Sequence, residues 1–417
     1  MLSPADTARV LAEFRPGRSV YIQGAVGEAL ALREILAGAP DGLAGVELTS
    51  CLLPGINDFD YAALHGEARL TCFMLPPALR ASFEAGRVTV RPLPYSQIAA
   101  AFAEGPAFDL AIAQVSAPDA EGMCSFGPCA DFSPLVWARA RRRLAFVNGR
   151  YPAARRGPSA PLAEIEVAIE GDWPFITGED GAAGEAQEAI AERIAALIPD
   201  RAAIQTGIGA APAAAAAVGR LTDRRELIIR SGMVTAGYRA LADAGALAAG
   251  AEHVTGMAYG SEAFMRWAAE TLIFADATVT HGAAGLAATP KLHAINSALE
   301  VDLFGQANVE WRGGRLVSGL GGAPDFARAA RRSAGGRAIL ALPATASGGS
   351  ISRIVARLDA PTVSIPRDDA DLVVTEHGVA DLRGASLEAR AQSLIAIAAP
   401  EHRERLAGEW EEMRRGF

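Results

Sequence analysis

Two short motifs occur twice in this sequence, with nearly the same separation in each half of the chain. Residues 22–27 (IQGAVG) resemble residues 204–209 (IQTGIG), and the pattern Asp-x-x-Gly at Asp119 recurs at Asp302. From position 22 to 119 is 97 positions, and from 204 to 302 is 98. A match kept over this distance predicts two copies of one folding unit.

The order of apolar runs predicts the fold class of each copy. Short apolar runs at residues 19–23, 109–115 and 202–205 predict strands, and the spacing in residues 28–36 and 185–198 predicts helices. Alternating strands and helices are typical of α/β units with a largely parallel sheet. At 417 residues the chain is also longer than one core usually supports. We therefore expect two tandem α/β domains.

Two segments of small residues are candidates for the domain boundary. Residues 149–164 are rich in Pro, Arg and small residues, which is typical either of a linker or of an ordered surface loop. Residues 177–184 are rich in glycine, and we place the boundary there. The predicted domains are therefore residues 1–180 and 181–417.

Charge and hydropathy exclude two classes of partner. The formal net charge is −9 and the pI is about 5.3, which argues against a nucleic-acid-binding surface. Charged residues occur too early at the N-terminus for a signal peptide, and no apolar run approaches the length of a membrane span. We expect a cytoplasmic protein with no membrane partner.

Four cysteines are distributed over the first third of the chain, at positions 51, 72, 124 and 129. They form no C-x-x-C pair and have no nearby set of histidines. Buried, reduced thiols are therefore predicted in preference to a zinc site or disulfides. We expect no metal centre.

Glu300 distinguishes the second copy of the repeat from the first. Two residues before the repeated aspartate, the first copy has Ala117 and the second has Glu300. A carboxylate among small and apolar neighbours is expensive to desolvate, so it is neutralised by a partner or kept for chemistry. An Asp/Glu pair at a strand end remains an alternative. Because ligand sites in α/β sheets lie beyond the C-terminal ends of strands, Glu300 is also well placed for function.

Several longer motifs carry a family resemblance. They are INSALEVDLFGQ at 295–306, GLGGAPDF at 319–326 and TEHGVADLRG at 375–384, together with SGMVT at 231–235 and LALPATASGGSISRI at 340–354. From about residue 20 to 405 the chain resembles the acetyl-CoA hydrolase/transferase family. This family of class I CoA-transferases includes the 4-hydroxybutyrate and succinyl-CoA:acetate CoA-transferases.

The resemblance implies a fold and a set of site residues. It implies two CoA-transferase-like α/β domains related by a pseudo-twofold axis, with the active site in the cleft between them. The family's catalytic glutamate falls on Glu300, which would form an acyl-glutamyl anhydride and then a glutamyl-CoA thioester. The contacts to CoA are expected from a loop before Glu300 and from four glycines, namely Ala277, Thr278, Val279, Thr280, His281, Gly319, Gly321, Gly322 and Gly378.

Physical chemistry supports these assignments. Glycines allow backbone N–H groups to approach the oxyanion that forms at a thioester carbonyl. We assign His281 to binding rather than to a general base, whereas Arg230 is either an exposed loop residue or a contact for a substrate carboxylate. The expected partners are acyl-CoA and small carboxylic acids. The resemblance implies CoA as a substrate, no permanently bound cofactor, and a homodimer or homotetramer.

Three other functions are considered. An acyl-CoA hydrolase would use the same glutamate and differ only in letting water resolve the thioester. A dinucleotide-binding α/β protein is disfavoured, because neither half has a full G-x-G-x-x-G with a later acidic residue. A noncatalytic acyl-CoA binder is disfavoured by the presence of Glu300.

Overall fold

Strands and helices alternate through the computed structural model, which describes residues 2–179, 181–207 and 211–416. The helices in these residues are α1 (Pro4–Leu11), α2 (Leu30–Gly38), α3 (Arg80–Glu84), α4 (Tyr95–Glu104), α5 (Ser133–Arg139), α6 (Glu185–Leu197), α7 (Ala211–Gly219), α8 (Ala236–Asp243), α9 (Glu262–Thr271), α10 (Ala277–Thr280), α11 (Ala283–Ala288), α12 (Ala323–Arg332), α13 (Leu387–Ile397) and α14 (Pro400–Arg414).

The strands are β1 (Ser19–Ile22), β2 (Glu47–Thr49), β3 (Arg69–Cys72), β4 (Val88–Val90), β5 (Leu110–Ser116), β6 (Met123–Ser125), β7 (Arg143–Asn148), β8 (Ser159–Pro161), β9 (Val167–Gly171), β10 (Ala203–Thr206), β11 (Ile228–Val234), β12 (Val254–Ala258), β13 (Ile273–Phe274), β14 (Leu292–Ser297), β15 (Glu300–Asp302), β16 (Ala307–Asn308), β17 (Trp311–Arg312), β18 (Arg315–Leu316), β19 (Arg337–Ala341), β20 (Thr345–Ala346), β21 (Ile351–Ser352), β22 (Ile354–Val355), β23 (Leu372–Thr375) and β24 (Gly378–Asp381).

The first compact unit, called unit 1, comprises Met1–Gly178, Val254–Thr280 and Val317–Gly321. Its main sheet has the order β4-β3-β2-β1-β5-β7-β9, and every neighbouring pair is parallel. All seven residues of β5 are buried, as expected for a central parallel strand covered on both faces. Strands β12 and β13 form a further parallel pair in the same unit.

The second compact unit, called unit 2, comprises Glu179–His253, His281–Leu316 and Gly322–Phe417. Its main sheet runs in the order β11-β10-β14-β19-β23-β24. The pairs from β10 to β23 are parallel, and β24 returns antiparallel to β23. A smaller sheet has the order β16-β15-β22, and it carries Glu300.

The repeated Asp-x-x-Gly motif forms the same turn in both units. In each unit the aspartate carboxylate accepts hydrogen bonds from the backbone N–H groups two and four residues later. The acceptor–donor distances are 3.0 and 2.8 Å at Asp119 and 3.1 and 2.9 Å at Asp302. In each turn the glycine N–H donates to the aspartate carbonyl, and the glycine has a positive φ, +77° at Gly122 and +88° at Gly305. Positive φ favours glycine, so the motif is explained by this turn.

The repeat extends to the sheets. β1 lies between β2 and β5, and β10 lies between β11 and β14, in parallel in every case. The predicted strand and helix positions in both halves are confirmed to within a few residues at their ends. Ile208 and Gly209 of the second motif lie outside the described residues.

The predicted domain limits, 1–180 and 181–417, stay a prediction. The units first divide after Gly178, and two later segments of the chain belong to unit 1. Residues 149–164 are an ordered part of unit 1, because they contain β8, which pairs antiparallel with β6. The four cysteines are buried free thiols, as predicted. Among the described residues, no helix is long and apolar enough to cross a membrane.

Candidate active site

Glu300 occupies the first position of β15, the middle strand of the small sheet in unit 2. It lies opposite Asn308 of the antiparallel strand β16. On its other side, Val301 is in register with Ile354 of the parallel strand β22, so Glu300 is level with Arg353. The Val301 N–H donates to the Arg353 carbonyl over 2.9 Å. Residues level with one another on adjacent strands have their side chains on one face, about 5 Å apart. An amide and a guanidinium therefore flank Glu300.

Asn308 holds the Glu300 carboxylate through a fully buried side chain. Its Nδ2 donates to Glu300 Oε2 over 3.2 Å and to the Trp311 carbonyl over 2.8 Å. Its Oδ1 accepts from the N–H groups of Glu310 and Trp311 at 3.0 and 2.9 Å. These four bonds determine which end of the Asn308 amide faces Glu300. In the reverse orientation, the amide oxygen would face two other acceptors, the Trp311 carbonyl oxygen and the Glu300 carboxylate.

Arg353 is half-buried beside Glu300. Its pKa is lowered by burial first and then by the positive charge of Arg312, while Glu376 and Glu300 oppose this. Glu376 Oε2 accepts from the Ala344 N–H over 2.8 Å. Glu376 therefore satisfies a backbone donor, and so does Asp381, which accepts from the Arg383 N–H.

His281 fills a slot between two glycine motifs of unit 2. A Cβ added at Gly322 would lie 2.4 Å from its Nε2, and one added at Gly232 would lie 2.7 Å from its Cε1. The ring also packs edge-on against Phe326, with centroids 4.9 Å apart. Burial lowers the pKa of His281 to about 3, so the ring is neutral at physiological pH and a weak proton acceptor. Its assignment to CoA binding stays a prediction.

The loop predicted to contact CoA is the short helix α10, residues Ala277–Thr280 of unit 1. Asp276 begins it, accepting at Oδ1 from the N–H and the hydroxyl of Thr278 at 2.8 and 2.5 Å. Ala277 and Thr280 are buried, whereas Thr278 is exposed and Val279 is 56% exposed. Of these four residues, Thr278 and Val279 therefore offer their side chains to a ligand.

Asp131 lies behind α10. Its carbonyl accepts from the Ala277 N–H over 2.9 Å, and its side chain is buried. Burial, with a smaller contribution from Asp276, raises the pKa of the Asp131 carboxyl to about 8. No local pattern of residues marks this group, because its neighbour Asp276 is distant along the chain.

The four predicted glycines occupy different places. Gly319 packs against the end of β3, where an added Cβ would lie 2.4 Å from the Phe73 carbonyl, and Gly321 has φ +58° and accepts from the Tyr95 N–H. Gly322 precedes α12 and Gly378 begins β24 after a two-residue turn. Gly319 and Gly321 belong to unit 1, and Gly322, Gly378, His281 and Glu300 belong to unit 2. Their convergence on one cleft stays a prediction.

Two site residues were missed by sequence reasoning or given no role. The motifs that carry the family resemblance assign no role to Asn308 or Arg353. Arg353 is distant from Glu300 along the chain, and only the register of β15 with β22 brings them level. Arg230, predicted as a loop residue or a substrate contact, lies in β11 and is 4.0 Å from Glu252. The loop interpretation is therefore wrong.

Comparisons with known proteins agree with this architecture. Residues 5–163 match the acetyl-CoA hydrolase/transferase N-terminal domain, and residues 260–410 match the C-terminal domain of the same name. The chain is 32% identical over 402 residues to the 4-hydroxybutyrate coenzyme A transferase of Clostridium kluyveri, covering 94% of this chain and 93% of that protein.

Solved structures give the same result. RipA from Yersinia pestis superposes with a TM-score of 0.89 at 25% identity, covering 98% of this chain and 97% of that one. The 4-hydroxybutyrate CoA-transferase from Porphyromonas gingivalis gives a TM-score of 0.80 at 27% identity, covering 99% and 97%. The α/β units and these matches define an enzyme of the CoA-transferase class. More particularly, the chain belongs to the acetyl-CoA hydrolase/transferase family.

Proposed function

We propose that this enzyme transfers CoA from an acyl-CoA to a small carboxylic acid, with Glu300 as the covalent nucleophile. The observation that supports this proposal most directly is that neighbouring residues in unit 2 hold the Glu300 carboxylate in place. Asn308 holds one carboxylate oxygen, Oε2, and Glu300 is level with Arg353, the residue that precedes β22. A nucleophile fixed in this way loses little rotational freedom when it attacks.

The proposed reaction proceeds by two attacks in each half. A Glu300 oxygen attacks the thioester carbonyl carbon, the C–S bond breaks, and CoA leaves as the thiolate. The thiolate then attacks the glutamyl carbonyl of the mixed anhydride, which releases the first carboxylate and leaves a glutamyl-CoA thioester. An incoming carboxylate repeats these steps in reverse and regenerates Glu300.

Backbone donors and CoA contacts complete the proposal. Gly319, Gly321, Gly322 and Gly378 allow close approach of the backbone to a developing oxyanion. Thr278 and Val279 are the exposed members of the α10 segment proposed to contact CoA. CoA is a substrate in this proposal rather than a resident cofactor. Location in the cytoplasm and assembly as a homodimer or homotetramer stay predictions.

The experiment is to trap the covalent intermediate. Protein incubated with acyl-CoA and no acceptor should gain the mass of CoA on the peptide that contains Glu300, and borohydride should inactivate it. Glu300→Ala should gain no mass and lose transfer. Glu300→Asp should lose about two orders of magnitude in rate, because the nucleophile moves by about 1 Å.

Glu310→Gln provides the matched control. Glu310 is a buried acid ten positions on, and its Oε2 accepts from the Ser364 hydroxyl over 2.8 Å, a bond that the glutamine carbonyl can also accept. This variant should form the adduct. Transfer by Glu300→Ala at near the wild-type rate would refute the proposal. CoA release that is independent of added carboxylate would instead identify a hydrolase that uses the same glutamate.

A further inference from the structure

Residues 311–316 of unit 2 form a tight hairpin that holds two arginines side by side. Strand β17 pairs antiparallel with β18, and this register places Arg312 directly opposite Arg315. The two intervening residues, Gly313 and Gly314, have φ values of +54° and +72°, and both are positive as a type I′ turn requires. Side chains directly opposite one another in an antiparallel pair lie on one face, with their Cβ atoms about 5 Å apart. The hairpin therefore keeps the two arginine side chains together on one face.

This pairing of arginines is unfavourable for the hairpin itself. Both residues are exposed, and within the described part of the chain neither guanidinium has a hydrogen bond or an ion pair. Like charges directly opposite on two strands repel each other and destabilise the pair. By contrast, the exposed Arg405 of α14 is balanced by Glu409, with Nη1 2.7 Å from Oε1. The repulsion between Arg312 and Arg315 is relieved by an anion that binds both.

Arg353, the residue before β22, adds a third positive charge. Its side chain is half-buried, and it makes neither a hydrogen bond nor an ion pair with the residues that the structure describes. Burial lowers its pKa first, and the positive charge of Arg312 is the next largest cause, so the two guanidiniums lie within electrostatic range. Glu376 and Glu300 oppose this change, although each has an oxygen that already accepts a hydrogen bond from another residue. Three guanidiniums therefore outnumber the two carboxylates that act on Arg353.

The hairpin is anchored through Trp311. Its Nε1 donates to the Thr362 hydroxyl over 2.9 Å, and its carbonyl accepts from the Asn308 side-chain amide over 2.8 Å. Successive residues of a strand point to opposite faces, so this anchor lies on the face away from Arg312. The arginine pair is therefore presented on a fixed support, which reduces the entropy lost when it closes on a ligand.

We infer that Arg312, Arg315 and Arg353 form a binding site for a phosphate group. A phosphate suits them better than a single carboxylate, because its oxygens can accept from several guanidiniums at once, whereas one two-pronged contact fills a carboxylate. The phosphate belongs either to CoA, which carries a 3′-phosphate and a diphosphate, or to a free phosphate ion. The inference concerns binding alone and does not depend on which residue attacks the acyl group.

Equilibrium dialysis of the enzyme against radiolabelled inorganic phosphate, at constant ionic strength, tests the site. Wild-type enzyme should bind phosphate saturably. The double variant Arg312→Gln/Arg315→Gln should bind it about 10- to 100-fold more weakly, as expected for loss of charge-assisted hydrogen bonds. The matched control is Arg332→Gln/Arg357→Gln, which removes two other exposed arginines of unit 2 and changes the net charge equally. This control should bind phosphate as the wild type does.

Displacement of the labelled phosphate identifies its source. If CoA displaces it and dephospho-CoA does not, the site holds the 3′-phosphate of CoA. If both displace it equally, the site holds the diphosphate that they share. If neither displaces it, the ligand is the free phosphate ion.

Three outcomes would overturn the inference. Phosphate binding that is absent from the wild type, or unchanged in the double variant, would remove the arginines from any phosphate site. Displacement by succinate as effective as displacement by unlabelled phosphate would show a site for carboxylates instead. A lower melting temperature of ligand-free Arg315→Gln would assign the arginine pair a structural role, because removal of one charge should relieve repulsion and leave that temperature equal or higher. These binding and melting measurements need no covalent adduct, so their failure is distinct from failure of the proposed function.

Discussion

Replacing Asp131 by asparagine should stabilise unit 1 at alkaline pH and have little effect at acidic pH. The Asp131 carboxyl has its pKa raised to about 8 by burial and by Asp276. The negative charge of Asp131 in turn contributes to the raised pKa of four buried groups, Cys51, Cys129, Tyr21 and Tyr95. No described cation is among these neighbours. Ionisation of Asp131 is therefore penalised in the folded protein.

The direction and size of the change in unfolding free energy with pH follow from proton linkage. The unfolded chain loses this proton near the ordinary pKa of 3.8, whereas the folded chain retains it up to about pH 8. Over this window the unfolded state binds fewer protons, so the contribution of Asp131 to stability is present below pH 4 and is lost as pH rises. At about 1.4 kcal/mol per pH unit, the loss reaches on the order of 5 kcal/mol by pH 8.

Urea unfolding of wild-type and Asp131→Asn protein from pH 4 to pH 9 measures this effect. The difference in unfolding free energy should be near zero at pH 4, grow steadily in favour of the variant, and level off above pH 8. Asp276→Asn should move the plateau to lower pH, because it removes the neighbouring negative charge, and asparagine can still accept from the Thr278 N–H. A difference that does not change with pH would refute the reasoning.

Two remaining predictions concern the supports of the site. Gly322→Ala should destabilise unit 2 by about 1–3 kcal/mol, because the new Cβ would lie 2.4 Å from His281 Nε2 although the backbone conformation, φ −91°, suits alanine. Adding His281→Ala should recover part of this loss in a double-mutant cycle of unfolding free energies. The control is Gly285→Ala in α11, where an added Cβ meets nothing within 4 Å, and it should leave the unfolding free energy unchanged. Asn308→Ala should slow thioester formation by about 10- to 100-fold, measured by the rate of mass gain, because it frees the Glu300 carboxylate and strands two backbone N–H groups. Thioester formation at the wild-type rate would show that Asn308 does not position Glu300.

Much of the fold is predictable from sequence because its signals are local. Apolar runs predicted strands β1, β5 and β10, which the structure contains. The repeated Asp-x-x-Gly motif corresponds to a turn that the structure shows twice. The division into units is less accessible. Ala277 belongs to unit 1, where its N–H donates to the Asp131 carbonyl. No local pattern reports a contact between residues so far apart.

The residues of the candidate site also differ in whether a local sequence pattern reveals them. Glu300 was found because one copy of a repeat carries an acid where the other carries Ala117. Arg353 was not found, because its position beside Glu300 depends on the register between β15 and β22. A shift of that register by one residue would place its side chain on the other face of the sheet, and the sequence alone does not specify the register. The burial of His281 was also beyond prediction, since the slot exists only where Gly232 and Gly322 leave room for the ring.

The twin Asp-x-x-Gly turns separate what evolution must preserve from what it can vary. Asp302 and Gly305 shape the chain without help from the residue at position 300, just as Asp119 and Gly122 do after Ala117. In a duplicated gene, the position before each turn can therefore change in one half while the other stays inert.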